Sequence, residues 1–306
     1  MKNCFLFPGQ GAQYPGMAKD FYDASKAVQN LFDLASQASG IDTRKLLFES
    51  DEETLKQTQN TQVAVALAGA AAALYAKERG ITPAGCAGFS VGEYPALAEA
   101  GIISVYDMFH LVSERGRLMD ESGRRSGPST MTAVLFLSPE KIQEVLNDSG
   151  LTHVWIANYN SPVQSVLSGT VEEIERAEEK LKAAGARRVV RLKVSGAFHS
   201  PLMNWAHDEF GNVVEKIEFH DPAIEFFSNV TGKPVKTGSE AKSLAIAQVI
   251  SPVLWTTEEA SIVDAGFDAC FETGPGNVLT GLWKSFNTTI VCHPCGKLDD
   301  LVSMAL

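Results

Sequence analysis

Short apolar runs alternate with amphipathic stretches along most of the chain. The runs at residues 4–7 and 84–88 both end at glycine-containing turns, which predicts two short buried strands. Helical spacing fills most of the sequence between them and resumes after residue 91. Buried strands that alternate with helices are typical of a mostly parallel sheet covered on both faces. The pattern therefore predicts an α/β fold, with residues 1–125 and 196–306 forming one large domain.

A different order of elements is predicted for residues 126–195. Short apolar stretches predict strands near 131–137, 154–159, 163–167 and 187–194. Helical periodicity predicts helices near 139–147 and 170–184. The order βαββαβ is that of a ferredoxin-like unit, so we expect a small ferredoxin-like insert here. The Gly-, Ser- and Arg-rich stretch 123–129 is the expected linker into it.

One predicted helix carries a charged residue on its apolar face. Ser104 and Asp107 form a capping box that marks its start. Arg115 then shares helical spacing with three apolar residues: Met108, Val112 and Met119. A guanidinium on a core-facing stripe requires an anionic partner, because an unpaired buried charge is costly. Arg115 is therefore either a clamp for a substrate carboxylate or a member of an internal salt bridge, and a snorkelling side chain is a third possibility.

The composition limits the class of protein. The chain has 306 residues, of which 45% are hydrophobic and 21% charged, as in a globular protein with a full core. The net charge of −11 argues against nucleic-acid binding. The longest apolar stretch, 63–76, is too short to span a bilayer, so we expect no membrane association.

The five cysteines and the N-terminus favour a cytoplasmic protein. An odd cysteine count with irregular spacing is typical of a reducing compartment. Cys292 and Cys295 form a lone CxxC without a second ligand pair, so we predict no metal site. The apolar run after Met1 ends at Pro8 and Gly9, which is too early for a signal peptide. The absence of a coiled-coil pattern leads us to expect a monomer.

Ser90 lies in the sequence Gly88-Phe89-Ser90-Val91-Gly92, between a predicted strand and a predicted helix. That is the context of a nucleophile elbow, in which a serine is presented on a tight turn as in α/β-hydrolases. A serine nucleophile requires a general base. Among six histidines, His199 follows the end of a predicted strand, where sites gather in open α/β sheets. A structural role for His199 is equally compatible with the pattern alone.

Together these residues resemble the malonyl-CoA:acyl-carrier-protein transacylases, including the free-standing acyltransferases of polyketide synthesis. The resemblance covers nearly the whole chain and is carried by motifs in family order. The motifs are Phe7-Pro8-Gly9-Gln10-Gly11-Ala12-Gln13, Gly88–Tyr94, Glu114-Arg115-Gly116, Asn158–Pro162, Gly196–Met203, Gln248 with Pro252–Trp255, and Gly274–Leu279. Several motifs in order are far more specific than any one of them.

The resemblance implies a role for each site residue. Ser90 would carry the malonyl ester, and His199 would act as its general base and then as the acid for the leaving thiol. The backbone N–H groups of Gln10 and Val91 would form the oxyanion hole, and Arg115 would bind the malonyl carboxylate. Gln248 would orient His199 through a backbone carbonyl.

The resemblance also implies a pocket and two partners. Phe198 would exclude a 2-methyl branch, and Gln62 and Asn160 match positions that line the pocket. The partners would be malonyl-CoA and an acyl carrier protein, with the coenzyme A thioester as substrate and no further cofactor. Two basic clusters are either solvated surface or a docking face for that carrier protein. Their members are Arg115, Arg117, Arg124 and Arg125, and Arg187, Arg188, Arg191 and Lys193.

One residue departs from the family pattern. The family usually has histidine immediately before the nucleophile, and Phe89 stands there in this chain. Two other functions stay open at this point. A serine hydrolase such as a thioesterase would use the same elbow, although it would leave Arg115 without a task. A non-catalytic module that binds carrier protein would not require the Ser90–His199 pair.

Overall fold

The computed structural model describes residues 1–303, which form two β-sheets with helices packed against them. The strands are β1 (Asn3–Phe7), β2 (Pro83–Gly88), β3 (Ser129–Leu135), β4 (Val154–Ser161), β5 (Gln164–Thr170), β6 (Arg188–Arg191), β7 (Glu225–Phe227), β8 (Pro234–Val235), β9 (Ala269–Glu272) and β10 (Val291–Pro294). Two 3₁₀ turns lie at Ser90–Gly92 and Pro201–Met203.

Fourteen α-helices are present within that described range. They are α1 (Lys19–Ala24), α2 (Lys26–Ser39), α3 (Thr43–Phe48), α4 (Glu52–Lys56), α5 (Thr58–Glu78), α6 (Glu93–Glu99), α7 (Val105–Arg125), α8 (Pro139–Asp148), α9 (Val171–Ala183), α10 (Asn204–Val214), α11 (Gly238–Ala247), α12 (Trp255–Asp264), α13 (Val278–Phe286) and α14 (Leu298–Ser303). Within residues 1–303, no helix is both long enough and apolar enough to cross a bilayer.

The larger sheet has six strands in the order β10-β9-β1-β2-β7-β8. All neighbouring strands pair in parallel except β7 and β8, which are antiparallel. The apolar positions of β1 are buried, as expected for a strand with helices on both sides. The prediction of an α/β fold with a mostly parallel sheet is confirmed.

The smaller sheet is antiparallel, with the strand order β4-β5-β3-β6. Its elements follow one another as βαββαβ, and α9 packs against β3 and β5 while α8 packs against β4. This is the ferredoxin-like arrangement that the sequence predicts, and all its strands lie between residues 126 and 195.

The expected linker at 123–129 is wrong in part. Helix α7 continues to Arg125, and β3 begins at Ser129, so only residues 126–128 separate the two elements. Gly123 is buried in α7, where an added Cβ would lie 2.2 Å from the carbonyl oxygen of Ser195. Glycine is therefore needed here for close packing of α7 against the segment that leads to His199, and not for chain flexibility.

Pro95 lies inside α6 without breaking it. The elbow first forms a 3₁₀ turn, so α6 begins only at Glu93 and Pro95 is its third residue. The first four N–H groups of an α-helix have no intrahelical acceptor. The N–H that proline lacks is one of these, so its position costs no helix hydrogen bond.

Candidate active site

The elbow holds Ser90 in a left-handed backbone conformation, with φ of 54°. A Cβ at Gly88 would lie 1.9 Å from the carbonyl oxygen of Gly92, and a Cβ at Gly92 would lie 2.1 Å from that of Phe7. Side chains at these two positions would therefore collide with backbone. The two glycines let the chain leave β2 in a turn tight enough to present Ser90 at the end of the sheet.

His199 contacts the Ser90 hydroxyl directly. Its Nε2 lies 2.7 Å from Ser90 Oγ, and its Nδ1 lies 2.9 Å from the carbonyl oxygen of Gln248 and 3.1 Å from that of Ser251. A carbonyl oxygen can only accept, so Nδ1 carries the proton and Nε2 is left to accept the proton of Ser90. The φ of His199 is 56°, so both members of the pair sit in strained backbone.

Burial and a neighbouring positive charge keep His199 neutral. Desolvation first, and then the Arg115 guanidinium, lower the pKa of His199 from 6.5 to about 4, while hydrogen bonds to the Gln248 and Ser251 carbonyls oppose the shift. A neutral imidazole at physiological pH is the form that can act as a general base.

Arg115 is buried directly beside Ser90, with 1% of its surface exposed. Its Nη1 donates to Gln62 Oε1 at 2.8 Å, and its Nη2 donates to Gln248 Oε1 at 2.8 Å and lies 3.4 Å from Ser90 Oγ. Its Nε has no hydrogen-bond partner among the described residues. Its hydrogen-bond partners are amide oxygens and a hydroxyl, so no carboxylate is hydrogen-bonded to this buried guanidinium, although Glu93 interacts with it through its charge. Such a group is suited to an anionic ligand.

Gln248 contacts His199, Arg115 and Ser90. Besides accepting from Arg115 and His199, it donates through Nε2 to the carbonyl oxygen of Ser90 at 2.9 Å. It is fully buried, at the end of α11. Its backbone therefore orients the ring of His199, while its side chain orients the guanidinium of Arg115.

A cavity of about 320 Å³ opens onto Ser90 and His199. Gln10 and Val91 lie in the same wall as Ser90. Val91 follows Ser90 in the 3₁₀ turn, whose first N–H groups have no intrahelical acceptor. Much of the remaining wall is apolar. The other residues that the sequence singles out in this wall are Phe198, Asn160 and Gln62.

Phe89, the departure from the family pattern, packs its ring edge-to-face against Trp255, with 5.5 Å between ring centroids. It also lines the cavity. Its N–H donates to the carbonyl oxygen of Phe7, which continues the pairing of β2 with β1 up to the nucleophile. The aromatic residue thus supports the elbow through packing and leaves the Ser90–His199 contact intact.

Three functional-site residues are not identified from the sequence: Asn229, Glu93 and Glu258. Asn229 follows β7, and its side chain contacts the elbow. The two glutamates are fully buried beside it, and burial raises the pKa of Glu93 to about 7 and that of Glu258 well above its usual value. Glu93 lies within the Gly88–Tyr94 motif, but nothing in the sequence shows that either glutamate is buried, since an acid in the first turn of α6 or α12 is an ordinary feature of a helix start.

The two basic clusters differ in structure. Arg117, Arg124 and Arg125 form ion pairs with acids one turn away on α7, so their charge is largely compensated. In the second cluster Arg191 pairs with Glu178, whereas the Arg187 guanidinium lies over the exposed ring of Phe136. Solvated surface is therefore the better interpretation for Arg117, Arg124 and Arg125, whereas Arg115, the fourth member of that cluster, is buried.

Comparison with known proteins places these features in a family. Residues 4–286 match the sequence model of the acyl transferase domain. The chain is 37% identical over 289 residues to the malonyl CoA-acyl carrier protein transacylase of Bacillus subtilis (strain 168), with 94% of this chain and 90% of that protein covered.

Two solved structures share the fold over almost the whole chain. The structure of MCAT from Streptococcus pneumoniae superposes with a TM-score of 0.92 at 35% identity, covering 99% of both chains. A malonyl-transacylase in complex with its type II PKS acyl-carrier protein gives a TM-score of 0.94 at 35% identity, covering 99% of this chain and 98% of that one.

Proposed function

This chain belongs to the acyl transferase family, and on that premise we propose that it moves a malonyl group from malonyl-CoA to an acyl carrier protein through an ester on Ser90. One observation carries the proposal. Ser90 Oγ lies 2.7 Å from a neutral base, His199 Nε2, and 3.4 Å from the buried guanidinium of Arg115. A nucleophile and a receptor for a carboxylate are thus adjacent, as an acyl group that ends in a carboxylate requires.

The first half-reaction acylates Ser90. His199 Nε2 takes the hydroxyl proton as Ser90 Oγ attacks the thioester carbonyl carbon. The N–H groups of Gln10 and Val91 stabilise the oxyanion that forms. When the carbon–sulfur bond breaks, the proton passes from His199 to the departing sulfur, and coenzyme A leaves as the thiol.

The second half-reaction runs the same steps with a new thiol. The phosphopantetheine thiol of the carrier protein gives its proton to His199 and attacks the ester carbonyl. The carbon–oxygen bond breaks, and Ser90 recovers its proton from His199. Because side chains and backbone N–H groups of this chain carry every step, the proposal includes no cofactor beyond the coenzyme A thioester.

Arg115 supplies the preference for malonyl. Its guanidinium is desolvated and has an unpartnered Nε, so binding a carboxylate compensates a charge that is otherwise costly to bury. The ring of Phe198 is 6% exposed and lies in the wall of the cavity that contains Ser90 and His199. We propose that this ring disfavours a branched acyl group.

Product analysis separates this function from a hydrolase. We expect incubation with malonyl-CoA and holo carrier protein to give malonyl-carrier protein as the main product, and Ser90→Ala to abolish it. Free malonate as the main product in the presence of carrier protein would instead show a thioesterase. The expectations of a monomer and of a cytoplasmic location stay predictions.

A further inference from the structure

One buried asparagine forms hydrogen bonds to the backbone of the elbow. Asn229 is fully buried, and its Oδ1 accepts a hydrogen bond from the Ser90 N–H at 2.7 Å. Its Nδ2 donates to the carbonyl oxygen of Gly88 at 2.6 Å. A single amide therefore satisfies a backbone donor and a backbone acceptor on either side of Phe89, at the point where the chain turns away from the sheet.

The asparagine is itself fixed by two carboxyl groups and by backbone. Its N–H donates to Glu93 Oε2 at 2.6 Å, and its carbonyl oxygen accepts from the N–H of Leu254 at 2.9 Å. Its Nδ2 also donates to Glu258 Oε2 at 2.8 Å. Glu93 opens the helix that follows the elbow, so the contacts run from β2 through the nucleophile to α6.

The mechanism has no task for these buried acids. Burial and the proximity of Glu93 favour the neutral form of Glu258, whose Oε1 has no partner among the described residues. Two buried acids that both face one asparagine are costly as a purely structural choice. They are accounted for if the orientation of the asparagine amide has to be fixed.

We propose that Asn229 is a positioning residue, which sets the backbone of Ser90 so that Oγ meets His199 and the Val91 N–H faces the cavity. The inference rests on the proposed role of Ser90 as nucleophile. In the left-handed conformation, a small rotation at Ser90 would move Oγ away from Nε2. The Gln248 amide, 3.4 Å from Asn229 Oδ1, donates to the Ser90 carbonyl oxygen and complements this hold.

The test compares Asn229→Ala with a matched control, Ser261→Ala. Ser261 is also buried, and its hydroxyl donates to the carbonyl oxygen of Gly232 in the same loop, but it does not contact the elbow. We expect Asn229→Ala to lower the rate constant for acylation of Ser90 by about 100-fold with little change in KM for malonyl-CoA. Ser261→Ala should lower the melting temperature and leave that rate constant within about threefold of wild type. Equal rate constants in the two variants would overturn the proposal.

A fluorophosphonate probe keeps this test independent of malonyl specificity. The probe labels an activated serine whatever its natural acyl group, so its rate should fall in Asn229→Ala together with the malonyl rate. If wild type reacts with the probe but does not transfer malonyl, the proposed function fails. The proposed positioning role of Asn229 is then tested by the labelling rates alone.

If Asn229→Ala does not fold, a second pair of variants tests the positioning role of Asn229. Asn229→Asp keeps the size of the side chain but loses both Nδ2 donors and places a carboxylate against Glu258. We expect its labelling rate to fall by about 100-fold. Adding Glu258→Gln to this variant supplies an amide that can donate to the new carboxylate. We expect the double variant to be labelled about tenfold faster than Asn229→Asp alone. A double variant that labels no faster than Asn229→Asp would refute the positioning role.

Discussion

Replacing Arg115 with alanine tests whether this residue gives the enzyme a preference for malonyl-CoA. The guanidinium is 1% exposed and donates to Gln62 and Gln248, and its hydrogen-bond partners include no carboxylate. If Arg115 has the proposed role, malonyl binding forms a charge-assisted contact with this buried guanidinium. Removing one partner of such a pair leaves the substrate carboxylate buried and unpaired, which costs about 2–5 kcal/mol. That corresponds to a fall of about 30- to 5,000-fold in kcat/KM for malonyl-CoA.

Acetyl-CoA provides the internal comparison, because it reacts at the same carbonyl and has no carboxylate. We expect Arg115→Ala to change kcat/KM for acetyl-CoA by less than about tenfold, so the malonyl-to-acetyl ratio should collapse. Arg117→Ala is the matched control, since Arg117 lies one half-turn along α7, is half exposed and pairs with Glu114. It should leave the ratio unchanged. If Arg115→Ala lowers kcat/KM for malonyl-CoA and for acetyl-CoA by the same factor, Arg115 supports the structure of the site and does not recognise the carboxylate.

Three further predictions follow from the geometry. Burial and the charge of Arg115 lower the pKa of His199 to about 4, so this base stays neutral until the pH falls near that value. The rate of Ser90 acylation, measured against pH, should therefore be half-maximal near pH 4. A midpoint near pH 6.5 would contradict a buried, neutral base. Gly88→Ala should abolish labelling of Ser90 and lower the melting temperature, because the added Cβ would meet the Gly92 carbonyl. Gly281→Ala on α13 is the control, since its added Cβ has nothing within 4 Å, and it should raise the free energy of unfolding by about 1 kcal/mol. Phe198→Ala should raise kcat/KM for methylmalonyl-CoA relative to malonyl-CoA, and an unchanged ratio would show that the ring does not select.

The sequence predicts the elements whose signals are local. The elbow is visible because an apolar run, two glycines and a helix start fall within ten residues, and the ferredoxin-like insert because its strands and helices are long enough to show their periods. Arg115 is visible because its helix has a strong apolar face that a charge interrupts. These signals need no knowledge of distant contacts.

Other features depend on contacts between distant parts of the chain. Strand β7 has three residues, too few to show an alternating pattern. Asn229 lies 139 residues from Ser90 and stands in a loop with no motif to mark it. Glu258 looks like an ordinary first-turn acid, and only the tertiary packing of α12 shows that it is buried. Such residues acquire their role from what surrounds them.

The central claim is that Ser90 carries the malonyl group as an ester, and intact-mass measurement tests it most directly. The protein would be mixed with malonyl-CoA and quenched in acid, and its intact mass would be measured by mass spectrometry. Ser90→Ala would be treated in the same way as a control. We predict that wild type gains the mass of one malonyl group, that digestion places it on Ser90, and that Ser90→Ala gains nothing. An adduct of equal yield on Ser90→Ala, or malonyl transfer to carrier protein by that variant, would contradict the account.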